Sequence, residues 1–415
     1  MNQACENNEQ KIYPLNSIQP DWESNPHLIE AIIKLEKLKI QVIDGSTPPH
    51  LFFELKSIFH KLESLGSGRI EGNQTTLSEL IERITEDMSK DSLDRKDEQL
   101  KEILNIEKAM RHVEDVVEVN TRITKKLLFE MHTIITDGLR VPEDGGEGVS
   151  NPGNFRMKKV WIKHSDLHPP DFTQVNDYIE ELLDFVNGTV ETRDQLLRVA
   201  IAHHRFAFIH PFENGNGRVV RLFTYALLLR YGFQVRDKGV EDKKDIERTG
   251  RILNPTAIFC VDRKKYYQML GQADSGKKGD VLAWCEYVLT GLLSEIEKID
   301  KLLDYEYLEK HILTPAIKDA KDRRYIDVDE HAVLSFVFKK KIEFLKASDL
   351  KGLFSTDDSV KISRMIKRLK EKNILIPVEK DGRIYNVSLA SNKYLIRSII
   401  GILEHQGFTP GLEEK

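Results

Sequence analysis

The stretch HPFENGNGRVVR, residues 210–221, gathers one histidine, one carboxylate, two amides, two glycines and two arginines directly before a strongly apolar run. Gly215, Asn216 and Gly217 fall where a loop gives way to a helix. Backbone N–H groups at such a start have no intrahelical acceptor, and the helix dipole adds partial positive charge, so the bend is a seat for an anion. Glycine lets backbone amides approach a phosphate closely. Arg218 and Arg221 are three residues apart, so both project from one side of the first turn and can grip phosphate oxygens through planar forks. His210 stands at the other end, with the ordinary imidazole range near neutrality that suits a general base. Phe212 is expected to anchor the loop in the core.

The elements that must hold this loop are mostly helical. Apolar positions at helical spacing mark residues 27–64, a second stretch from Leu77 to Met88 continuing through Leu100 and Ile103, and residues 109–137. Between the first two, GSGRIEGNQTT from Gly66 holds too much Gly and Asn for a long helix and suits one short turn. VPEDGGEGVSNPGNF (141–155) reads as a loop, and RMKKVWIKHSDLHPPDF (156–172) as a short strand or hairpin before Pro-Pro. Thr173–Asn187 is amphipathic, Gln195–Phe208 and the run after residue 218 are apolar on nearly all sides, and residues 280–310 give a further long helix. Ala332–Phe338, Ala347–Phe354 and Val360–Lys370 then read as three helices, followed by two strands about Lys380–Arg383, which is winged-helix order.

At 415 residues the chain is expected to hold two or three domains. It is 40% hydrophobic and 31% charged with net charge −5, an ordinary globular balance that excludes a strong global pull toward nucleic acid or membrane. Cys5, Cys260 and Cys285 are widely separated and suggest neither a disulfide framework nor a CxxC metal site, as suits a reducing compartment. With a polar start and no run of 18 apolar residues, the expectation is a cytoplasmic protein with no membrane partner.

Residues 210–221 resemble the signature of the Fic family, HPFx(D/E)GNGRxxR. GNFRMKKVWI upstream is similar to that family's flap hairpin, and NPTAIFCVDRKKYYQML downstream to its nucleotide-side segment, so the likeness covers roughly residues 65–290. The resemblance implies a mostly α Fic core with a short β-hairpin flap, and a protein nucleotidyltransferase moving AMP from ATP to a Ser, Thr or Tyr hydroxyl of a target protein. Carried over by position, His210 deprotonates the hydroxyl, Gly215, Asn216 and Gly217 seat phosphates, and Arg218 and Arg221 hold the outer phosphates. Val160, Trp161, Ile162 and Lys163 of the flap align the target backbone by strand addition. The domains expected are a helical region at 1–105, the Fic core at 106–290, connecting helices at 291–328, a winged helix at 329–392 and a tail at 393–415.

One position departs from the signature. Asn214 stands where the family has Asp or Glu as a Mg²⁺ ligand, with Glu213 one residue earlier. An amide oxygen supplies less charge than a carboxylate, so weak but retained Mg²⁺ dependence is expected, with Asn214, or Glu213 instead, as ligand. Ser67 and Glu71, four apart before Gly72, resemble the family's inhibitory motif (S/T)xxxE(G/N), whose glutamate pairs with the second signature arginine, here Arg221. In some members the same glutamate supports AMP removal.

Other candidates carry less. His203 and His204 are adjacent on an apolar helix and face different directions, which favours packed histidines over metal ligands. His164 and His168 fall in the flap segment. Tyr266 and Tyr267 fit either an adenine contact or core packing. Lys361, Arg364, Lys367, Arg368, Lys370 and Arg383 make the C-terminal module locally basic, compatible with a DNA-reading helix and wing, with a protein-binding winged helix, or with a solvated face. A catalytically silent interaction protein is a third reading, and a homodimer is implied by the family alone.

Overall fold

The computed structural model describes residues 13–18, 20–40, 46–85, 95–162, 168–233, 257–353, 359–379 and 382–408. In chain order the helices are α1 (Pro26–Ile40), α2 (Pro49–Glu71), α3 (Leu77–Thr85), α4 (Arg95–Val116), α5 (Lys125–Thr136), α6 (Val175–Asn187), α7 (Thr192–Ile209) and α8 (Asn216–Arg230). They continue with α9 (Ala257–Val261), α10 (Arg263–Ala273), α11 (Lys278–Asp300), α12 (Tyr305–Leu308), α13 (Thr314–Asp322), α14 (Val328–Lys339), α15 (Ser359–Glu371) and α16 (Lys393–His405), with strands β1 (Leu345–Lys346), β2 (Leu375–Pro377) and β3 (Ile384–Val387). No described helix is long and apolar enough to cross a membrane. The described residues fall into two compact units, drawn from 1–40, 108–233 and 262–293, and from 41–107, 234–261 and 294–415.

In the first unit α7 packs along α8, and α5 and α6 flank the pair. α8 buries Val219, Val220, Leu222, Phe223, Leu227, Leu228 and Leu229, an apolar character on every side that only a core position satisfies. α6 contributes the stripe Val175, Ile179, Leu182, Leu183 and Val186. Arg198 of α7 closes the end of α6 by donating to the carbonyls of Phe185, Gly188 and Thr189. Trp284 is fully buried and donates its indole N–H to the Ala200 carbonyl at 2.7 Å. His203 and His204 are packed and bonded as expected. The first reaches Thr224 at 2.7 Å and Tyr266 at 2.9 Å, the second Asp274 at 2.8 Å.

The second unit has its own core, built from Leu55, Ile58, Phe59 and Leu62 of α2, Leu80 of α3, Val333 and Leu334 of α14, Ile362 and Leu369 of α15 and Leu395 and Ile399 of α16. Its sheet is antiparallel in the order β1-β3-β2, with Leu345 opposite Tyr385 and Leu375 opposite Val387. α14 opens with a reciprocal cap between Asp327 and Glu330. The Glu330 carboxylate, fully buried, is then neutralised by Arg368 at 3.0 Å and Lys372 at 2.8 Å, as a buried charge requires.

Several expectations change. Residues 66–68 do not form a separate short helix but continue α2, and the stretch is buried there. A Cβ on Gly68 would lie 3.3 Å from Asn73 Cβ and 3.5 Å from Ile103 Cγ1, so glycine serves close helix packing rather than a turn. Gly72 ends α2 in the left-handed conformation, φ 102°, as its position suggests. The expected helix over Ala347–Phe354 is a 3-10 turn of Ala347–Leu350. Gly352 at φ 83° turns the chain away, and Phe354 lies outside the described residues. The expected tail at 393–415 contains α16, whose stripe of Leu395, Ile396, Ile399, Ile400 and Leu403 is buried. The described part of 156–172 has no strand, and residues 163–167 lie outside the description; a strand needs a partner to complete its ladder.

Candidate active site

α7 ends at His210, which adopts φ 50° and turns the chain into the loop. A left-handed histidine costs about 1 kcal/mol, and this one is held by long-range bonds. Arg156, 1% exposed, donates to the carbonyls of His210 (2.9 Å), Lys158 (3.1 Å), Pro170 (2.5 Å) and Ile209 (3.4 Å). Its backbone N–H donates to Pro211 at 2.9 Å. Burial pulls the Arg156 guanidinium below its usual range, and the carbonyl acceptors keep it satisfied. Arg156 joins the base of the flap segment to the start of the signature loop.

The His210 ring sets its own tautomer. Nδ1 lies 3.3 Å from the Ala207 carbonyl. A carbonyl only accepts, so Nδ1 carries the proton, and in the neutral ring Nε2 then bears the lone pair.

Within the loop, Phe212 is fully buried and Asn216 clamps it from both sides. Asn216 Oδ1 accepts the Phe212 N–H and Nδ2 donates to the Phe212 carbonyl, each at 2.9 Å. Gly215, at φ 77°, is the N-cap of α8 and as a glycine brings no side-chain cap. A Cβ on Gly215 would come within 3.0 Å of Ile135 Cδ1 on α5. The Gly215 N–H donates to Asn214 Oδ1 at 2.7 Å, while Asn214 Nδ2 donates to Glu147 Oε2 at 3.0 Å. Two of the residues expected to seat phosphates carry structural bonds. The Asn216 side chain shapes the loop, and the Gly215 amide is engaged by Asn214.

Arg218 and Arg221 are 1% and 3% exposed, so their charges sit where electrostatic interactions are screened little. Arg218 donates to the Glu147 carbonyl at 3.2 Å, with Glu147 Oε2 at 3.9 Å. Glu213 pairs instead with Lys158 at 3.2 Å. Among the described residues no group of three or more His, Cys, Asp or Glu is placed to hold a metal.

Of the flap residues, Trp161 is 76% exposed and stacks on His168, Val160 and Ile162 are half-buried, and Lys163 and His164 lie outside the described residues. Tyr266 belongs to the core. Thr224 donates its hydroxyl to the Val220 carbonyl and so accepts from His203 Nδ1, which leaves His203 Nε2 to accept from the Tyr266 hydroxyl. Burial holds His203 well below the usual imidazole range. Tyr267 is 38% exposed, lies under Arg263 at 5.6 Å and has its ring centroid 5.2 Å from that of Tyr266. Ser67 is buried and Glu71 half-buried at the end of α2, in the second unit.

Two residues that sequence reasoning missed shape this site. Arg156 is signalled only by being an arginine in a Gly-Asn-Phe loop. His132 sits among Leu128, Met131 and Ile135 on α5 and stacks on Phe212 with ring centroids 3.9 Å apart and planes 4° apart.

Residues 122–228 match the model of the Fic/DOC family, and the chain carries a Fic domain there. The protein adenylyltransferase Fic of Drosophila erecta is 28% identical over 218 residues, 52% of this chain and 37% of that protein. The protein of the same name in Nematostella vectensis is 26% identical over 219 residues, 51% and 42% of the two chains. The match thus spans less than half the length of these relatives. A Fic family protein from Desulfovibrio desulfuricans G20 shares the fold, with TM-score 0.53 over 89% of this chain and 98% of the other at 18% identity.

Proposed function

We propose that this chain is a protein adenylyltransferase, transferring AMP from ATP to a Ser, Thr or Tyr hydroxyl of a target protein. The observation that carries the reading is the place of His210 beside a helix start: Nδ1 faces the Ala207 carbonyl at 3.3 Å, and the first turn of α8 follows a glycine N-cap with two buried arginines. His210 Nε2 takes the hydroxyl proton, the oxygen attacks the α-phosphorus, the α–β P–O bond breaks and pyrophosphate leaves. That displacement requires positioning and charge neutralisation rather than a covalent enzyme intermediate. The amides of α8 and the guanidinium groups of Arg218 and Arg221 hold the phosphates, and burial strengthens them.

The oxygens present suit a hard divalent cation. Asn214 supplies an amide oxygen, and the Glu147 carboxylate lies 3.0 Å from the same side chain, while Glu213 is committed to Lys158. Mg²⁺ held there would neutralise charge on the triphosphate. Asn214 is the ligand favoured here.

Ser67 and Glu71 are read as an inhibitory motif that withholds Arg221 from the γ-phosphate. A charge-assisted hydrogen bond contributes about 1.5–3 kcal/mol, on the order of tenfold to a hundredfold in productive binding. The order α14, β1, 3-10 turn, α15, β2, β3 supports a winged helix. Its basic face is partly neutralised, since Lys361 pairs with Asp329 at 3.6 Å and Arg368 with Asp327 at 2.7 Å. A protein partner suits that face better than the DNA backbone, whose binding needs uncommitted cations.

The test is incubation with Mg²⁺, candidate target protein and ATP labelled at the α-phosphate. Label is expected on protein, lost by about a thousandfold in His210→Ala and raised about tenfold or more in Glu71→Gly. No label from either the wild type or Glu71→Gly sinks the transferase reading; label from the γ-phosphate instead makes it phosphoryl transfer.

A further inference from the structure

His132 lies outside the signature, yet both of its ring nitrogens are committed at the site. Nδ1 receives the Gly153 N–H at 2.9 Å, and Nε2 faces the Asn214 carbonyl at 3.2 Å. A backbone N–H only donates and a carbonyl only accepts. The neutral ring with its proton on Nε2 is the one form that satisfies both. The ring face is meanwhile laid flat on Phe212, the residue that Asn216 clamps.

From these contacts we infer that His132 is a positioning residue for the adenylyl-transfer site, setting the peptide between Asn214 and Gly215. A trans peptide is planar, with its C=O and N–H pointing opposite ways. Holding the Asn214 carbonyl toward α5 turns the Gly215 N–H outward, where it captures Asn214 Oδ1 at 2.7 Å. One hydrogen bond from α5 thereby orients the amide favoured as cation ligand and the peptide that opens α8. The second bond, from Gly153, ties the same ring to the 141–155 loop, which supplies Glu147 to Asn214 and leads into Arg156. Gly153 adopts φ 71°, and a Cβ there would meet Thr133 Oγ1 at 2.4 Å, so the loop approaches α5 as only glycine permits.

The inference rests on the transferase reading for its functional consequence, and its structural half stands apart from it. The test compares His132→Phe, which keeps the ring stack and loses both hydrogen bonds, with His132→Gln, whose amide N–H restores the donor toward Asn214. Amide hydrogen exchange in the full-length protein reads the loop directly. In His132→Phe, exchange at Gly153 and Gly215 is expected to rise at least about tenfold while the α7 and α8 interiors stay protected. Transfer at saturating ATP is expected to fall about a hundredfold with the target-protein KM within about threefold, and His132→Gln to recover most of that loss. Wild-type exchange and turnover in His132→Phe overturn the inference, as does equal loss in both variants with deprotection throughout the first unit. If the wild type neither binds nucleotide nor transfers AMP, the transferase reading falls, and the exchange data alone decide whether His132 holds the loop.

Discussion

Residues 66–73, GSGRIEGN, and residues 213–218, ENGNGR, draw on nearly the same residue types, yet they meet helices at opposite poles. The first closes α2, with Gly72 in the left-handed conformation and Asn73 bonded to Glu102 at 2.7 Å. The second opens α8, with left-handed Gly215 as an N-cap that brings no side chain. Carbonyls and negative partial charge gather at a helix C-terminus, amides and positive partial charge at an N-terminus. Only the second stretch can therefore seat a phosphate. The first presents Ser67, which is buried, and Glu71, which is half-buried, near carbonyls rather than amides. Composition alone assigns neither role; direction along the helix does.

The sharpest way to break the contrast is Gly215→Ala. The new Cβ combines φ 77° with a 3.0 Å approach to Ile135, so the loop must shift, and nucleotide affinity is expected to fall about tenfold to a hundredfold by calorimetry. Unchanged affinity would mean that the α8 start is not the seat. Comparable in size is the acid limb of stability. Burial lowers His132 from an ordinary 6.5 to about 4. The unfolded chain thus binds more protons between those values, and stability is complete above pH 6.5 and falls as pH drops toward 4. The linkage amounts to about 3 kcal/mol from this group. Thermal melts across that range should show it, and His132→Phe should flatten the slope; an unaltered slope would place the lost protons elsewhere.

Smaller effects separate the glycines of residues 66–73. Gly72→Ala has open space around its Cβ but keeps φ 102°, and is expected to destabilise by about 1 kcal/mol in denaturant melts. Gly68→Ala gains helix propensity against a 3.3 Å contact with Asn73, and the two are expected to cancel to within about 1 kcal/mol. A larger loss at Gly68 than at Gly72 would show that packing against Ile103, rather than helix termination, governs this end.

The helices around the site were legible because periodicity is a local property. α6 announces itself by an apolar stripe and α7 by being apolar on nearly all sides, and the spacing of His210, Arg218 and Arg221 is visible without any fold. The C-terminal amphipathic stripe from Leu395 to Leu403 is equally local, and it belongs to α16 rather than to a tail. Tyr266 was not legible: an aromatic on a helix fits core and pocket alike until His203 is seen to take its hydroxyl.

The order of residues along the chain settled where a helix starts or stops, which pole of it carries glycine, and which charges can share a turn. Whether those groups meet was settled by packing. His132 reaches Asn214 across 82 positions and Arg156 reaches His210 across 54, and no local pattern records such pairs. They arise because a buried donor or acceptor left without a partner is destabilising, so the fold brings distant polar groups together wherever the core closes over them.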